Sequence, residues 1–311
     1  MLFRSKFCNV SQDAVIQSID ADTIYDVPLL MQQEKLDEVA LRKLGLAPKK
    51  KPDLKKWSDF LSKLKHPKKR VHIGLVGKYV ELKDAYKSIA EAFIHAGTSL
   101  ECAVDIEWIH SEGLNAKNVK SKLAGLDGVL VAPGFGSRGI DGKIEAIKFV
   151  RENNIPFFGI CLGMQIATIE FARNVLGLKD AHSTEMKAYT KHPVICLMEE
   201  QKSIVNKGGT MRLGSYPCTL KKGSKAQKAY GKINIEERHR HRFEFNNDYM
   251  EKFEKAGFKA VGTNPKSGLV EIIELENHPY FVASQFHPEY KSTVMTPHPL
   301  FISFVKACMK S

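Results

Sequence analysis

From Val71 onward, short apolar runs alternate with longer amphipathic stretches, and no other feature constrains the possible fold as tightly. Residues 71–76 read as a buried strand and residues 84–96 as a helix closed by Gly97. Residues 102–109 and 127–132 read as strands, 140–153 as a helix, 156–160 as a short strand and 164–175 as a helix. Apolar runs of four to eight residues fit buried strands, and apolar positions three and four apart fit helices. Strands alternating with helices imply βαβ units and an α/β fold, with a mostly parallel central sheet flanked by helices. Beyond Pro193 the pattern turns to strands and turns, clearest at 270–275 and 280–286, before a last helix at 299–309.

One strand end carries chemistry. Phe158-Gly159-Ile160-Cys161-Leu162-Gly163 places a cysteine between two glycines at the passage from strand to helix. This G-x-C-x-G pattern is the cysteine form of a nucleophile elbow, a sharp turn expected to hold the side chain strained and exposed. A helix starting behind the sulfur favours the thiolate, and the Leu162 N–H is placed to donate to an oxyanion. Taken alone, Cys161 reads equally well as a small core residue between packing glycines. Its complement is Gln285-Phe286-His287-Pro288-Glu289 at the end of an apolar run. In an extended chain, residues i and i+2 face one side, so His287 can serve as base and Glu289 as its orienting carboxylate.

The stretch Ala132-Pro133-Gly134-Phe135-Gly136-Ser137-Arg138-Gly139 is a second anion cradle. It matches G-x-G-x-x-G at Gly134, Gly136 and Gly139. It does not lie in the first βα unit, however, and the next strand ends in Cys161 rather than in the acidic residue that a ribose requires. An oxyanion loop opposite Cys161 is the better reading.

The chain has 311 residues and a net charge of +12. Between residues 47 and 70, ten lysines and arginines face only Asp53 and Asp59, so this stretch carries eight of the twelve net charges. Charge concentrated with Pro48, Pro52 and Pro67 reads as a basic linker, not as a nucleic-acid surface. Within it, Leu54, Trp57, Phe60, Leu61 and Leu64 recur at helical spacing. Residues 1–46 hold short apolar runs and an amphipathic stretch at 36–46 that ends near Gly45, too little for an independent core. The six cysteines form no CxxC pairs, which argues against a disulfide framework or a structural zinc site. With no apolar run of membrane-spanning length and no leader-like start, a cytoplasmic protein without membrane partners is expected.

The motifs together resemble a known family. Gly159 to Gln165 (GICLGMQ), Ser183-Thr184-Glu185, Gly208-Gly209-Thr210-Met211-Arg212-Leu213-Gly214, Arg238-His239-Arg240-His241-Arg242-Phe243-Glu244 and Gln285 to Glu289 closely resemble the glutaminase domain of the CTP synthase family. The opening Val76-Gly77-Lys78-Tyr79 and Asp84-Ala85-Tyr86-Lys87-Ser88 are similar too, so the likeness spans residues 71–311. The cysteine and His-Pro-Glu patterns are common to triad-type (class I) glutamine amidotransferases, whereas the Gly-Gly-Thr-Met and Arg-His-Arg-His-Arg runs are more specific.

The resemblance implies that Cys161, His287 and Glu289 form a triad, that Gly134 and Leu162 supply the oxyanion hole, and that glutamine is bound by Gly134, Leu162, Gly163, Met164, Gln165, Glu185 and Arg242. A free amino acid needs a carboxylate and a guanidinium at its charged ends, which agrees with Glu185 and Arg242. Glutamine would be hydrolysed to glutamate and ammonia, the ammonia serving ATP-dependent amination of UTP to CTP. No cofactor is expected in this domain; ATP, Mg, UTP and the activator GTP belong to the complete enzyme. Residues 1–46 resemble only the end of the synthetase domain, and no G-x-x-x-x-G-K-[ST] loop is present, so a synthetase domain or chain is the expected partner and this chain alone is expected not to make CTP. Pro133 departs from the family's usual glycine and removes one donor, but Gly134 is kept. Two other readings are a glutaminase subunit of a different synthetase and a non-catalytic module docking to CTP synthase.

Overall fold

The structure, a computed structural model, describes residues 2–47, 50–197 and 211–310. The chain divides into two compact units, Met1–His66 and Pro67–Ser311.

Among its described residues the first unit contains four α-helices, α1 (Leu2–Phe7), α2 (Val27–Gln33), α3 (Leu36–Lys43) and α4 (Lys55–Lys65). Its buried centre is small: Tyr25, Phe60 and Leu61. Trp57 Nε1 donates to Tyr25 O at 2.7 Å, and the Tyr25 and Phe60 rings meet edge-on at 5.1 Å. The helical spacing read within the basic stretch is therefore realised as α4, while Lys69 and Arg70 already belong to the first strand of the second unit.

The second unit is built on strands β1 (Lys69–Gly77), β2 (Cys102–His110), β3 (Gly128–Val131), β4 (Phe157–Ile160), β5 (Ala181–Ser183), β6 (His192–Leu197), β7 (Arg212–Leu220), β8 (Asn234–His241), β9 (Phe243–Phe245), β10 (Phe258–Thr263), β11 (Val270–Leu275) and β12 (Phe281–Ser284). Its helices are α5 (Lys87–Ser99), α6 (Val119–Lys122), α7 (Ile140–Glu152), α8 (Leu162–Asn174), α9 (Lys225–Tyr230), α10 (Met250–Lys255) and α11 (Pro299–Cys308). The main sheet runs β2-β1-β3-β4-β12-β11-β10-β7-β8. From β2 to β12 every pairing is parallel; from β12 to β8 every pairing is antiparallel. β5, β6 and β9 form a separate small sheet.

The central strands β3, β4 and β12 are buried along their whole length, as a sheet covered by helices on both faces requires. One apolar cluster joins Ile144, Ile147, Ile166 and Ile169, from α7 and α8, to Phe157 and Phe281. The other joins Phe93 of α5 and Phe301 and Phe304 of α11 to Phe158 and Leu130. Helix α5 runs past the expected stop: Gly97 lies inside it and is buried. A Cβ at Gly97 would come within 2.5 Å of Cys102 O, so this glycine permits close packing of helix on strand and is not a cap.

Candidate active site

The carboxyl ends of β4 and β12, neighbours in the parallel half, bring the expected nucleophile and base together. Cys161 follows β4 directly and has φ 53° and ψ −101°, a left-handed conformation costly for any residue with a Cβ. Its N–H donates to Ser284 O of β12 at 2.7 Å. Both flanking glycines are sterically required. A Cβ at Gly163 would lie 2.3 Å from Val131 O, and one at Gly159 would lie 2.8 Å from the Ala283 Cβ. The strain expected of an elbow is present, but the expected exposure is not: Cys161 is 2% exposed. Gln285 covers it, with Nε2 at 3.7 Å from the sulfur.

His287 lies three residues beyond β12 and is 4% exposed. Its N–H donates to Arg238 O at 2.8 Å, and its Nδ1 is 2.7 Å from Glu289 Oε1. The pair was expected to meet along an extended chain. They meet instead through a single 3₁₀ turn, Pro288–Lys291, which folds the carboxylate back onto the ring. Tyr290 stacks on the imidazole at 5.0 Å. Burial disfavours the imidazolium, yet the charges of Cys161 and Glu289 outweigh it and hold the His287 pKa well above the ordinary histidine range. With Nδ1 engaged, the buried Nε2 has no hydrogen-bond partner among the described residues.

The loop of residues 132–139 joins β3 to α7. A Cβ at Gly134 would approach Leu162 Cδ2 at 3.5 Å and Lys78 Cε at 3.2 Å, which brings the loop to the start of α8. Gly136 has φ +73°, and its N–H donates to Glu185 Oε1 at 3.0 Å. Glu185 follows β5 of the small sheet. Gln165 Nε2 donates to Phe243 O at 2.9 Å and to Gln285 Oε1 at 3.3 Å. Arg242 occupies the bend where β8 of the main sheet passes into β9 of the small one. Leu162 and Gly163 open α8 beside Cys161, but Met164 contributes no side chain to the cleft: it lies in the apolar core, and its N–H donates to Cys161 O. Residues 208–210 of the Gly-Gly-Thr-Met motif lie outside the described residues.

Strand β8 alternates, with Arg238 and Arg240 exposed and His239 and His241 buried. Sequence reasoning missed what the buried face meets. Arg212 donates to Glu271 Oε1 at 2.7 Å and to Glu244 Oε1 at 3.3 Å. His239 Nδ1 and His241 Nε2 are 2.8 Å apart. Burial lowers the pKa of both rings, aided by the charge of Arg212, and it raises Glu271 to about 7 against the pull of that arginine. This cluster stands directly behind the site, since Glu271 O accepts from the Gln285 N–H at 2.8 Å. The available signal was a pair of glutamates inside the apolar run Val270-Glu271-Ile272-Ile273-Glu274-Leu275. Two lysines beside the loop were also missed. Lys143 Nζ donates to Ala132 O at 2.9 Å, and Lys78 Nζ donates to Phe135 O.

The family model described as glutamine amidotransferase class-I matches residues 81–307. The chain belongs to the class-I glutamine amidotransferase family. Within it, the chain is similar to the glutaminase domain of CTP synthase. It is 40% identical to the solved glutaminase domain of the Trypanosoma brucei enzyme with bound acivicin, covering 78% of this chain and 94% of that one with a TM-score of 0.73. A second family model, CTP synthase N-terminus, matches residues 4–46. Among curated proteins, CTP synthase of Flavobacterium johnsoniae is 63% identical over 98% of this chain, and that of Cytophaga hutchinsonii is 65% identical over 97%. The chain spans 57% and 56% of the lengths of these two relatives.

Among the described residues, no cluster of three or more His, Cys, Asp or Glu side chains could hold a metal ion. No described helix is long and apolar enough to cross a membrane.

Proposed function

We propose that Cys161, His287 and Glu289 are the catalytic triad of glutamine hydrolysis, and that the ammonia released serves the amination of UTP. The observation that carries this reading is a cysteine held at φ 53° on a strand–helix elbow, with the pKa of a carboxylate-anchored histidine raised by that cysteine's charge. Strain of this kind persists only where the surrounding fold over-determines it.

In the proposed mechanism the thiolate attacks the side-chain amide carbon of glutamine. The Leu162 and Gly134 N–H groups stabilise the oxyanion, and imidazolium His287 protonates the departing ammonia. Water, deprotonated by His287, then hydrolyses the γ-glutamyl thioester. Glu289 holds the imidazole by Nδ1, so Nε2 faces the reaction. Glu185 and Arg242 take the α-amino and α-carboxylate ends, with Gln165 and the backbone of Gly163 completing the cleft. Glu185 already accepts the Gly136 N–H, which would couple occupancy of the amino-acid site to the loop.

ATP, Mg, UTP and GTP enter this reading only through a synthetase domain, the proposed partner, and no residue of this chain is assigned to them. A reducing, cytoplasmic setting suits a nucleophilic cysteine with Cys102, Cys218 and Cys308 as free buried thiols.

The test is glutamate release from glutamine by the 311-residue chain beside Cys161→Ala. Turnover in the parent should fall by about a thousand-fold or more in the variant. Equal turnover in both would remove Cys161 from the chemistry. If neither turns over, a separately made synthetase domain is added; continued silence would reject the glutaminase reading.

A further inference from the structure

Lys143 is fully buried in α7, and the acceptor for its Nζ is Ala132 O at 2.9 Å. Lys78, at the end of β1, is also buried, and its Nζ donates to Phe135 O. These carbonyls bracket Pro133 and Gly134. The last ladder bond of β3 is the Ala132 N–H to Val76 O, 3.0 Å, and Pro133 has no N–H to extend it. From there to Gly136, whose N–H reaches Glu185, the loop backbone is held from the protein side by the two lysines.

Burying one ammonium against a single carbonyl is costly, and two like charges in one region raise that cost. Methionine would fill the same space without it. The expense is informative because of what the lysines face. Burial and then the charge of Lys78 bring the Lys143 pKa down to about 7, and the negative charge that pulls it back up is that of Cys161.

Resting on the reading of Cys161 as nucleophile, we propose that Lys143 and Lys78 are positioning residues of the reaction. They clamp the 132–135 segment by its two carbonyls so that the Gly134 N–H stays aimed at the attacked carbonyl. The proline next to the oxyanion donor is tolerated because side-chain cations replace the missing backbone tie.

The experiment uses the whole chain and three variants: Lys143→Met, which keeps volume but neither donor nor charge; Lys143→Gln, which keeps a donor alone; and Lys78→Met. For each, kcat and KM for glutamate release are measured, with urea unfolding to establish that the variant folds. Lys143→Met should lower kcat about tenfold or more with KM nearly constant, as expected for a misaligned oxyanion donor. Lys143→Gln, which restores a donor, should recover part of kcat, and Lys78→Met should show the same fall at nearly constant KM.

Folded variants with parent kcat would overturn the proposal. So would a fall in kcat that Lys143→Gln does not relieve, or one matched by the loss of stability in urea, which would mark a purely structural role. If Lys143→Met fails to fold, Lys143→Gln and Lys78→Met decide. Failure of the nucleophile reading looks different, since Cys161→Ala would then still turn over glutamine.

Discussion

The two halves of the main sheet solve opposite problems. From β2 to β12 the strands are parallel, almost wholly apolar in their buried positions, and end in a single strained cysteine. From β11 to β8 they are antiparallel and bury Arg212, Glu271, His239 and His241 side by side. The first half is an apolar platform from which β4 runs into the strained turn at Cys161. The second is a charged buttress whose groups must satisfy one another. They meet at β11 and β12, where Glu271 O holds the Gln285 backbone and the Gln285 side chain covers Cys161. The apolar half thus carries Cys161, the proposed nucleophile, and the charged half holds its cover in place.

The largest effect that could break this division lies in the triad. Glu289→Gln keeps the size of the side chain but removes the charge that favours imidazolium, and kcat should drop by about a hundred- to ten-thousand-fold with stability little changed. A modest drop, measured by glutamate release, would assign the elevated His287 pKa to Cys161 alone.

Next is the charged half. Arg212→Met leaves Glu244 and Glu271 buried without their cation and should cost about 3–5 kcal/mol in urea unfolding, the usual result of removing one partner from a buried pair. A loss under about 1 kcal/mol would show that both glutamates simply take up protons and that the cluster is not a buttress.

Smaller again is Gly163→Ala. Its Cβ would sit 2.3 Å from Val131 O, so α8 must shift, at about 1–3 kcal/mol. Because that shift moves the Leu162 N–H, kcat should fall more than stability explains; proportionate losses would make the glycine a packing residue only.

The last expected effect is a slope. Burial brings the Lys143 pKa from its ordinary 10.5 down to about 7, so between those pH values the unfolded chain binds more protons and stability rises with pH. Lys143→Met removes the group. Melting temperatures of parent and variant should therefore diverge in the parent's favour from pH 7 towards 10, with the variant at least as stable below 7. Parallel curves would mean that Lys143 stays fully charged in place.

How far the sequence could be read follows the same divide. Strands β1 to β4 and helices α7 and α8 were legible because apolar runs and helical spacing report burial directly. The elbow at Cys161 and the closeness of His287 to Glu289 were legible from the Gly-x-Cys-x-Gly and His-Pro-Glu patterns, although the pair meets through a turn and not along the extended chain that was expected. Gly97 was misread as a stop, since a glycine needed for close approach of a helix to β2 looks the same in sequence as a cap. The exposure expected for Cys161 failed because its cover, Gln285, comes from another strand. Lys143 and the Arg212 cluster were illegible for a related reason. A charged residue in a helix or strand defaults to the solvated face, and only tertiary contacts between distant segments reveal a buried partner. Residues 208–210 and their neighbours in 198–210 lie outside the described residues.

The small sheet has a consequence for how such a site can change. Glu185 hangs from β5, and Arg242 leads into β9, so both proposed grips on the ends of the amino acid are attached to the β5-β6-β9 module, whereas the sulfur and imidazole belong to the main sheet. In the proposed mechanism, recognition and bond cleavage are thereby mounted on separate sheets, with Arg242 at a bend between them. Changes accumulating in the small frame could retune which amide is admitted while the cleavage apparatus stays untouched, a modularity that a single-sheet site would lack.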